Sequence, residues 1–362
     1  MRKLKLLPIV LALLPLTFNS CSSTSDSGLI GANSPANIQP DFSKLKASCF
    51  IPEVSNPILK MGSLIAGSNW NDPHVIKVKN QFVMYASADT NFSKDIKIYR
   101  LISSDGKNWS LSPSHAVFEK SQDSNAWDRQ SVETPAVVFF KNQYYMFYTG
   151  YSNQTDSSTY NIGFATSPDG IVWTRQSPRL MPTNPKGAPD LNFMQFVVGE
   201  PAPVVFNNKI YLYFTAEGAH LDLNNTQFTL GLITTDDGLN WSTPQEVLRP
   251  NQTIYPRNTW IGYSTPHAAN INNQIHLFFD VARDPFIQEK IHHATSNDGI
   301  SGWNLDSTSI FDKTRFSWAD DQINGPAVLL DGTNLYLWFG GQGNISSFPN
   351  ISMGIGMAIC PL

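Results

Sequence analysis

The chain has 362 residues, of which 41% are apolar, 12% aromatic and 15% charged, and its formal net charge is −4. No run of basic residues occurs anywhere in it, so the composition argues against nucleic acid as a partner. Few charges combined with many aromatic side chains fit an exported all-β protein with an aromatic-lined site.

The N-terminal residues predict export. A basic start and a short apolar run occupy residues 1–20, which is the pattern of a secretory signal and is too short for a stable membrane span. Cys21 resembles the lipid-modified cysteine of bacterial lipoproteins, which predicts an anchor in the cell envelope, periplasmic or surface-exposed. The alternative is an ordinary cleaved signal with an incidental cysteine. Residues 21–45, rich in Ser, Asn, Asp and Pro, predict a flexible tether, and loss of the signal would change the net charge to −7.

A repeat organises the rest of the chain, residues 46–362. Its markers are five prolines separated by 62, 66, 65 and 60 residues: Pro73, Pro135, Pro201, Pro266 and Pro326. Each proline precedes an apolar run, a turn with Asn or Asp-Gly, and an aromatic-rich run, which is typical of a β-hairpin. Five such repeats of short strands predict a five-bladed β-propeller.

The repeat also predicts where the blades begin and how the ring closes. The inner strands are expected to begin at the residue before each proline, namely Asp72, Thr134, Glu200, Thr265 and Gly325. Little sequence follows the last hairpin, so a strand from residues 46–65 is expected to complete the fifth blade.

A second repeated pattern, Ser-x-Asp-Gly-x-x-Trp, follows the first four hairpins. Its copies are Ser103–Trp109, Ser167–Trp173, Thr235–Trp241, with Thr in place of Ser, and Ser296–Trp303, which is one residue longer. The Asp-Gly supplies turn geometry, and the Trp is expected to pack between blades. Four copies cannot all be active sites, so the motif is predicted to be structural.

Two cysteines remain besides Cys21. Cys49 lies just before the first blade and Cys360 lies near the C-terminus. An oxidising compartment permits a disulfide between them, which would close the propeller covalently. Two unrelated buried thiols are the alternative.

The residue before each repeated proline differs between blades, which favours a functional role. Blades 1 and 3 have carboxylates there, Asp72 and Glu200, and blade 2 has Glu133 one residue earlier. Carboxylates that converge on one axis repel one another, so some of their pKa values are expected to shift. This arrangement suits acid–base chemistry at a glycosidic bond. The alternative is that they cap turns or bind backbone N–H groups at strand starts.

Residues next to these positions are expected to form the rim of a funnel and to contact a sugar. The flat apolar ring of Trp suits the face of a pyranose or furanose, although some of these Trp residues could instead belong to the core. The predicted substrate-binding residues are Trp70, Asn71, His74, Trp127, Asp128, Arg129, Trp260, His267 and Trp318.

Residues 60–359 resemble the five-bladed glycosidases of the arabinanase, xylosidase and invertase superfamily, glycoside hydrolase family 43 and, more distantly, family 32. The resemblance implies that Asp72, in Asn71-Asp72-Pro73, is the general base and that Glu200, in Gly199-Glu200-Pro201, is the general acid. The blade 2 Asp that tunes the acid in family 43 has no match, and the candidates for its role are Glu133 and, further upstream, Asp128. The Arg-Asp-Pro motif of family 32 is absent as well.

The expected function is hydrolysis of an oligo- or polysaccharide with inversion. Glu200 would protonate the leaving oxygen, Asp72 would activate water, and Glu133 would keep Glu200 protonated. The alternatives are a surface lipoprotein that binds glycans without cleaving them and a retaining enzyme similar to fructosidases. No cofactor is expected to be required, although His74 and His267 could help hold a central calcium ion through water. The protein is expected to be a monomer that binds a carbohydrate and touches the membrane only through its lipid.

Overall fold

The computed structural model describes seven stretches of the chain, and the repeated prolines all lie within them. The described residues are 39–90, 95–176, 179–181, 189–220, 225–283, 287–343 and 353–362. The predicted signal, Cys21 and the tether up to residue 38 lie outside them. Within these stretches no helix is long and apolar enough to cross a membrane.

The described regular structure is almost entirely strand. The helical segments are single 3₁₀ turns or little longer: Phe42–Lys44, Ala47–Cys49, Ser157–Thr159, Pro189–Met194 and Lys313–Arg315. The strands are β1 (Ile51–Pro52), β2 (Ser68–Val78), β3 (Gln81–Thr90), β4 (Lys97–Ser103), β5 (Ser110–Leu111), β6 (Ser131–Phe140), β7 (Gln143–Tyr151), β8 (Asn161–Ser167), β9 (Thr174–Arg175), β10 (Val197–Phe206), β11 (Lys209–His220), β12 (Asn225–Thr235), β13 (Gln245–Leu248), β14 (Trp260–Ile271), β15 (Gln274–Arg283), β16 (Ile287–Ser296), β17 (Asn304–Leu305), β18 (Phe311–Asp312), β19 (Gln322–Asp331), β20 (Asn334–Gln342) and β21 (Gly354–Pro361).

These strands form antiparallel sheets in sequence order. Blade 1 contains β2–β5, blade 2 contains β6–β9, blade 3 contains β10–β13 and blade 4 contains β14–β18. Blade 5 contains β19–β21 and is completed by β1. One parallel bridge, between Phe228 and Gly262, joins the sheets of blades 3 and 4.

The first strands of the five blades surround a common axis. β2 packs beside β6, β6 beside β10, β10 beside β14, β14 beside β19, and β19 beside β2 again. The hydrophobic core lies between neighbouring blades. For example, Trp70 and Met84 of blade 1 share a buried cluster with Trp338 and Met357 of blade 5. The predicted β-propeller is therefore confirmed. The described strands form five blade units around the axis.

The predicted starts of the inner strands are wrong by three to five residues. Pairing with the second strand begins earlier, as at Ser68, which is opposite Thr90. Each X-Pro pair forms a bulge that leaves the ladder, as between Asn71 and His74, because proline has no N–H to donate. The five residues before the prolines all have left-handed backbone conformations, with φ of 45° to 54°: Asp72, Thr134, Glu200, Thr265 and Gly325.

The ring closes as the sequence predicts. Ile51 of β1 is paired with Ile359 of β21, and a disulfide joins Cys49 to Cys360 with their Cα atoms 4.9 Å apart. The compact unit begins at Gln39 rather than at residue 46, since Phe42 packs against the core of blade 5. The end of the predicted tether is therefore part of the folded domain.

The Ser-x-Asp-Gly-x-x-Trp motif joins neighbouring blades, which confirms its predicted role. Trp173 of blade 2 makes an edge contact with Tyr85 of blade 1, and the hydroxyl of Tyr85 donates to the carbonyl of Gly170 over 2.6 Å. Trp303 and Tyr213 repeat this contact between blades 4 and 3. The glycine has φ near 70° to 80° in each copy, a conformation that Gly adopts readily.

Candidate active site

The five bulges meet at a narrow channel on the propeller axis. The channel has a volume of about 30 Å³ and is lined by the prolines and by the residues on either side of them. Left-handed backbone costs roughly 1–2 kcal/mol for a residue other than glycine, and the four such residues here include the β-branched Thr134 and Thr265. Strain of this kind at four of the five blades indicates that the ring of bulges serves the site rather than the sheet.

Side chains of the second strands hold the bulges in place. In four of the five blades, the backbone N–H of the residue before the proline is bound by a side chain of the preceding blade, fifteen positions after that blade's own bulge. Thr134 N–H donates to Ser87 Oγ over 2.9 Å, Glu200 N–H to Thr149 Oγ1 over 2.7 Å, Thr265 N–H to Thr215 Oγ1 over 2.9 Å, and Gly325 N–H to Asp280 Oδ2 over 3.4 Å. The fifth residue of this ring, Gly340, has no side chain.

Asp72 and Glu200 lie in equivalent surroundings. Asp72 accepts hydrogen bonds from the Ser87 hydroxyl and from the backbone of Thr134. Glu200 accepts one from the Thr215 hydroxyl and one from the Thr265 N–H, which lies 2.8 Å from Oε2. These donors lower the two pKa values, but burial dominates: the pKa of Asp72 rises to about 6, with a contribution from the charge of Glu200, and that of Glu200 is also raised.

Glu133 is the third carboxylate of the group. Its Oε2 lies 3.4 Å from the hydroxyl of Tyr151, a long hydrogen bond. Burial raises the pKa of Glu133 to about 8, and the negative charges of Asp72 and then Glu200 add to the shift. Asp72 and Glu200 line the central channel together, and Glu133 shares a cavity with each of them, so the structure brings together the three predicted catalytic residues.

Two cavities flank Glu133. The first, called the Asp72 cavity, has a volume of about 310 Å³, and its walls include Asn71, Asp72 and Glu133. The second, called the Glu200 cavity, has a volume of about 280 Å³, and Glu133, Tyr160 and Glu200 belong to its lining. Both volumes are near the lower end of the range for ligand-binding pockets.

A fourth carboxylate, Asp280, was not predicted. It is fully buried on β15 and accepts hydrogen bonds from the hydroxyls of Ser264 and Thr265 and from Gln288 Nε2, the last over 3.0 Å. Burial and the charge of Glu200 raise its pKa to about 7 despite these donors. The available signal was its position fifteen residues after Thr265, where blades 1 to 3 have Ser or Thr.

His74 and His267 line the central channel together, with ring centroids 5.1 Å apart. Nδ1 of His74 accepts a long hydrogen bond of 3.3 Å from the N–H of Val137, which supports the neutral ring. Burial lowers the pKa of both rings, that of His267 to about 4, so both are neutral at pH 7. No group of three His, Cys, Asp or Glu in the described stretches is placed to hold a metal ion, and the water-mediated calcium ion stays a prediction.

Three of the four predicted rim tryptophans belong to the core instead. Trp70 is completely buried, and its Nε1 donates to the carbonyl of Ser63. Trp318 stacks on Phe339 in the core of blade 5, and Trp260 packs edge-on against Tyr255 in blade 4. Trp70 and Trp260 lie within strands that start before the bulge, so their side chains follow the strand alternation into the space between blades.

The residues upstream of the blade 2 bulge are also placed differently from the prediction. Asp128 is buried in an ion pair with Arg175 and also accepts from the Tyr148 hydroxyl, which makes it structural. Arg129 is exposed and donates to the carbonyl of Ala126. Trp127 is half-buried and stacks on Tyr148. Of the predicted sugar-binding residues, Asn71 lines the Asp72 cavity, and His74 and His267 line the central channel.

Comparisons with known proteins agree with this fold. Three of the similar solved structures are a protein titled glycoside hydrolase (12% identity, TM-score 0.64, 82% of this chain and 88% of that chain), a thermostable family-43 glycoside hydrolase (15%, 0.60, 81% and 89%) and an endo-arabinase from Bacteroides thetaiotaomicron (15%, 0.57, 84% and 96%). At these identities they share the fold with this chain. A search of curated protein sequences returned no match.

A match to a sequence family goes further than these structures. The model of glycoside hydrolase family 130, described as beta-1,4-mannooligosaccharide phosphorylase, matches residues 69–289, more than half of the chain and all of the carboxylates above. The predicted glycosidase superfamily is thereby confirmed. The chain belongs to glycoside hydrolase family 130, and it is a glycan-degrading enzyme of the propeller type.

Proposed function

We propose that this protein hydrolyses neutral oligosaccharides with inversion at the anomeric carbon. The observation that carries the proposal is the convergence of Asp72, Glu133 and Glu200 around two cavities. Burial raises all three pKa values, and the charges of neighbouring carboxylates add to the shift at Asp72 and Glu133. Such a group can hold one proton for the leaving oxygen while another member, which we assign as Asp72, takes a proton from water.

Hydrolysis fits the site better than phosphorolysis, the reaction in the family description. An inorganic phosphate is an anion, and enzymes bind it with Arg, Lys or exposed backbone N–H groups. Among the described residues, neither Arg nor Lys lines the Asp72 cavity, the Glu200 cavity or the channel between them. The neighbouring carboxylates would repel phosphate, whereas water needs no such partner.

The charge of the site also supports a neutral substrate. The Asp72 cavity has the acidic side chains Asp72, Asp89 and Glu133 in its walls, which disfavour uronic acids and other anionic sugars. Asn69, Asn71 and Gln154 add uncharged polar side chains to the same walls, which suit the hydroxyls of a neutral sugar. The family description makes β-1,4-linked manno-oligosaccharides the first substrates to test.

The test is a product analysis with the full mature protein. Neutral manno-, xylo- and arabino-oligosaccharides are incubated with and without inorganic phosphate, and the anomer first released is identified by proton NMR. We expect phosphate-independent release of an inverted free sugar. Formation of a sugar 1-phosphate would contradict hydrolysis, and a retained anomer would contradict inversion. Binding of a glycan without turnover would favour the binding-protein alternative.

We also propose that the enzyme acts while anchored by lipid at Cys21, on the basis of the N-terminal sequence. The test is fractionation of cells that express the protein or its Cys21→Ala variant. The unchanged protein is expected in the membrane fraction, and the variant in the soluble exported fraction. Equal partition of the two would contradict the anchor.

A further inference from the structure

The directions of the hydrogen bonds show which carboxylates of the site are ionised. Ser87 Oγ accepts the N–H of Thr134, so the Ser87 proton is available to Asp72. In the same way Thr215 Oγ1 accepts the N–H of Thr265, so the hydroxyl proton of Thr215 is available to Glu200. A carboxylate that faces only donors is stabilised in its ionised form.

Glu200 has the stronger set of donors. The N–H of Thr265 lies 2.8 Å from its Oε2, and a backbone N–H cannot turn round to accept a proton. The hydroxyl of Thr265 is held by Asp280 and Gln288, which fix this residue in place. Protonated Glu200 would therefore have to give up at least one of these hydrogen bonds.

Glu133 has no comparable support. In the described part of the chain its hydrogen-bond donor is the Tyr151 hydroxyl, at a long distance of 3.4 Å from Oε2. Glu133 therefore receives one weak donor, whereas Asp72 and Glu200 each receive two. The other groups that face it are the Tyr160 ring and the carboxylates of Asp72 and Glu200. Full ionisation of three neighbouring, half-buried carboxyl groups is disfavoured by their mutual repulsion, and the proton is held by the one with the fewest donors. The raised pKa of Glu133, about 8, agrees with this assignment.

We propose that Glu133, rather than Glu200, is the proton donor of the reaction, and that ionised Glu200 acts on it from the neighbouring blade to keep it protonated. This inference rests on the proposed hydrolysis of a glycosidic bond. Glu133 lines both cavities, so it faces the boundary at which a bond between two bound sugars would lie.

The step balances with the groups present. The carboxyl proton of Glu133 moves to the glycosidic oxygen as the bond between that oxygen and the anomeric carbon breaks. A water oxygen forms the new bond to the anomeric carbon from the opposite face, and its proton goes to Asp72. Glu133 ends ionised and Asp72 protonated, and exchange with solvent through the funnel restores both.

Glu133→Gln and Glu200→Gln form a matched pair for the kinetic test. Two β-glycosides of the preferred sugar are compared, one with a sugar leaving group and one with 2,4-dinitrophenolate, which leaves without protonation. For Glu133→Gln we expect a loss of about 10²–10⁴-fold in rate with the sugar leaving group and nearly full activity with dinitrophenolate. For Glu200→Gln we expect a smaller loss with the sugar leaving group, nearly full activity with dinitrophenolate, and an alkaline limb of the pH–rate profile that moves to lower pH. The reverse pattern overturns the inference.

A titration without substrate separates this inference from the proposed function. Mature protein labelled with ¹³C at the Glu carboxyl groups is titrated by NMR, and the folding of each variant is checked by circular dichroism. We expect a resonance with a midpoint near 8 that is absent from Glu133→Gln and shifted down in Glu200→Gln. If the resonance disappears instead in Glu200→Gln, the inference is wrong while hydrolysis stands. If no neutral glycan is cleaved, hydrolysis and the proton-donor role are both overturned, whatever the titration shows.

Discussion

The backbone N–H of Thr265 in blade 4 lies 2.8 Å from Oε2 of Glu200 in blade 3. This contact joins two neighbouring bulges of the ring, and it is repeated in blades 1 and 2, where the backbone of Thr134 donates to Asp72. In both pairs a hydroxyl from the second strand, Thr215 or Ser87, binds the same N–H and the same carboxylate. Each acidic residue is therefore held from two directions, by a hydroxyl side chain of its own blade and by the bulge of the next blade.

The first prediction removes one of these donors. Thr215→Val keeps the shape of the side chain but deletes its hydroxyl, so the ionised form of Glu200 loses a hydrogen bond worth about 1.5–3 kcal/mol for a charged partner. The pKa of Glu200 is expected to rise, so that Glu200 takes a share of the proton that it otherwise leaves on Glu133. The rate with the best oligosaccharide substrate should fall roughly tenfold at neutral pH, whereas the rate with a dinitrophenyl glycoside, which needs no proton donor, should stay nearly unchanged.

Thr149→Val is the control for this change. Thr149 occupies the same position in blade 2, where its hydroxyl accepts from the N–H of Glu200 and contacts Thr134 rather than the Glu200 carboxylate. It should lower the melting temperature about as much as Thr215→Val without the loss of rate on the oligosaccharide. An equal loss of rate in both variants would show that the hydroxyl of Thr215 has no particular effect on Glu200.

The second prediction concerns stability and pH. Asp280 has a pKa of about 7 in the folded protein, above the value of about 3.9 for an unfolded chain. Between these two pH values the folded state keeps a proton that the unfolded state has released. The stability that Asp280 contributes is therefore fully present below pH 4 and is lost as pH rises through 7.

Asp280→Asn removes this titration. The melting temperature of the unchanged protein is expected to fall from pH 4 to pH 8, and the variant should show a shallower fall, as followed by circular dichroism at several pH values. Asp72 and Glu133, with pKa values raised to about 6 and 8, contribute the remaining slope in both proteins. Parallel curves for the two proteins would mean that Asp280 does not hold a proton in the folded state.

The sequence was sufficient to predict the architecture because both repeated patterns have direct physical consequences. The Asp-Gly turns and the X-Pro pairs recur at nearly constant spacing, and each occupies the same place in its blade. The left-handed conformation before each proline was not predictable in the same way. A residue before proline normally prefers an extended conformation, and here the surrounding blades impose the other one, as at Asp72 with φ of 50°.

The misplaced tryptophans and the missed carboxylate have related causes. A strand that began at Asp72 would leave Trp70 in a loop, whereas the observed strand begins at Ser68 and directs this ring into the core. Asp280 follows two phenylalanines in an apolar strand, which hides it from a search for polar motifs. Alignment of all five blades by their prolines places it opposite Ser87, Thr149 and Thr215, and that comparison would have found it.

The third prediction tests backbone strain at the ring. Gly325 is the only glycine among the five residues before the repeated prolines, and its φ is 53°. A Cβ there would have ordinary contacts of 3.6 Å or more, so Gly325→Ala adds backbone strain of about 1–2 kcal/mol and little steric conflict. The free energy of unfolding should fall by that amount, and activity should also fall because Gly325 borders the central channel.

Gly332→Ala provides the comparison, since Gly332 has a φ of 60° in the hairpin turn of blade 5 and a Cβ there would meet no atom within 4 Å. Its unfolding free energy should fall by a similar amount with no loss of activity. If Gly325→Ala is as stable as the unchanged protein, the ring of bulges is not strained at this blade.

The last prediction concerns closure of the ring. Cys49 and Cys360 are separated by 311 positions, so their disulfide connects the two ends of the described domain and limits the unfolded chain. Replacing both with alanine is expected to lower the free energy of unfolding by about 2–5 kcal/mol, measured by denaturant titration. Because Cys360 is buried, its replacement also leaves a small cavity where the sulfur was. The total loss of unfolding free energy should exceed the cost of that cavity. Reduction of the unchanged protein provides the comparison, and it should reproduce most of the loss with both side chains still present. Rapid alkylation of either thiol in the native, unreduced protein would show that the ends are not joined and that the pairing of β1 with β21 closes the propeller alone.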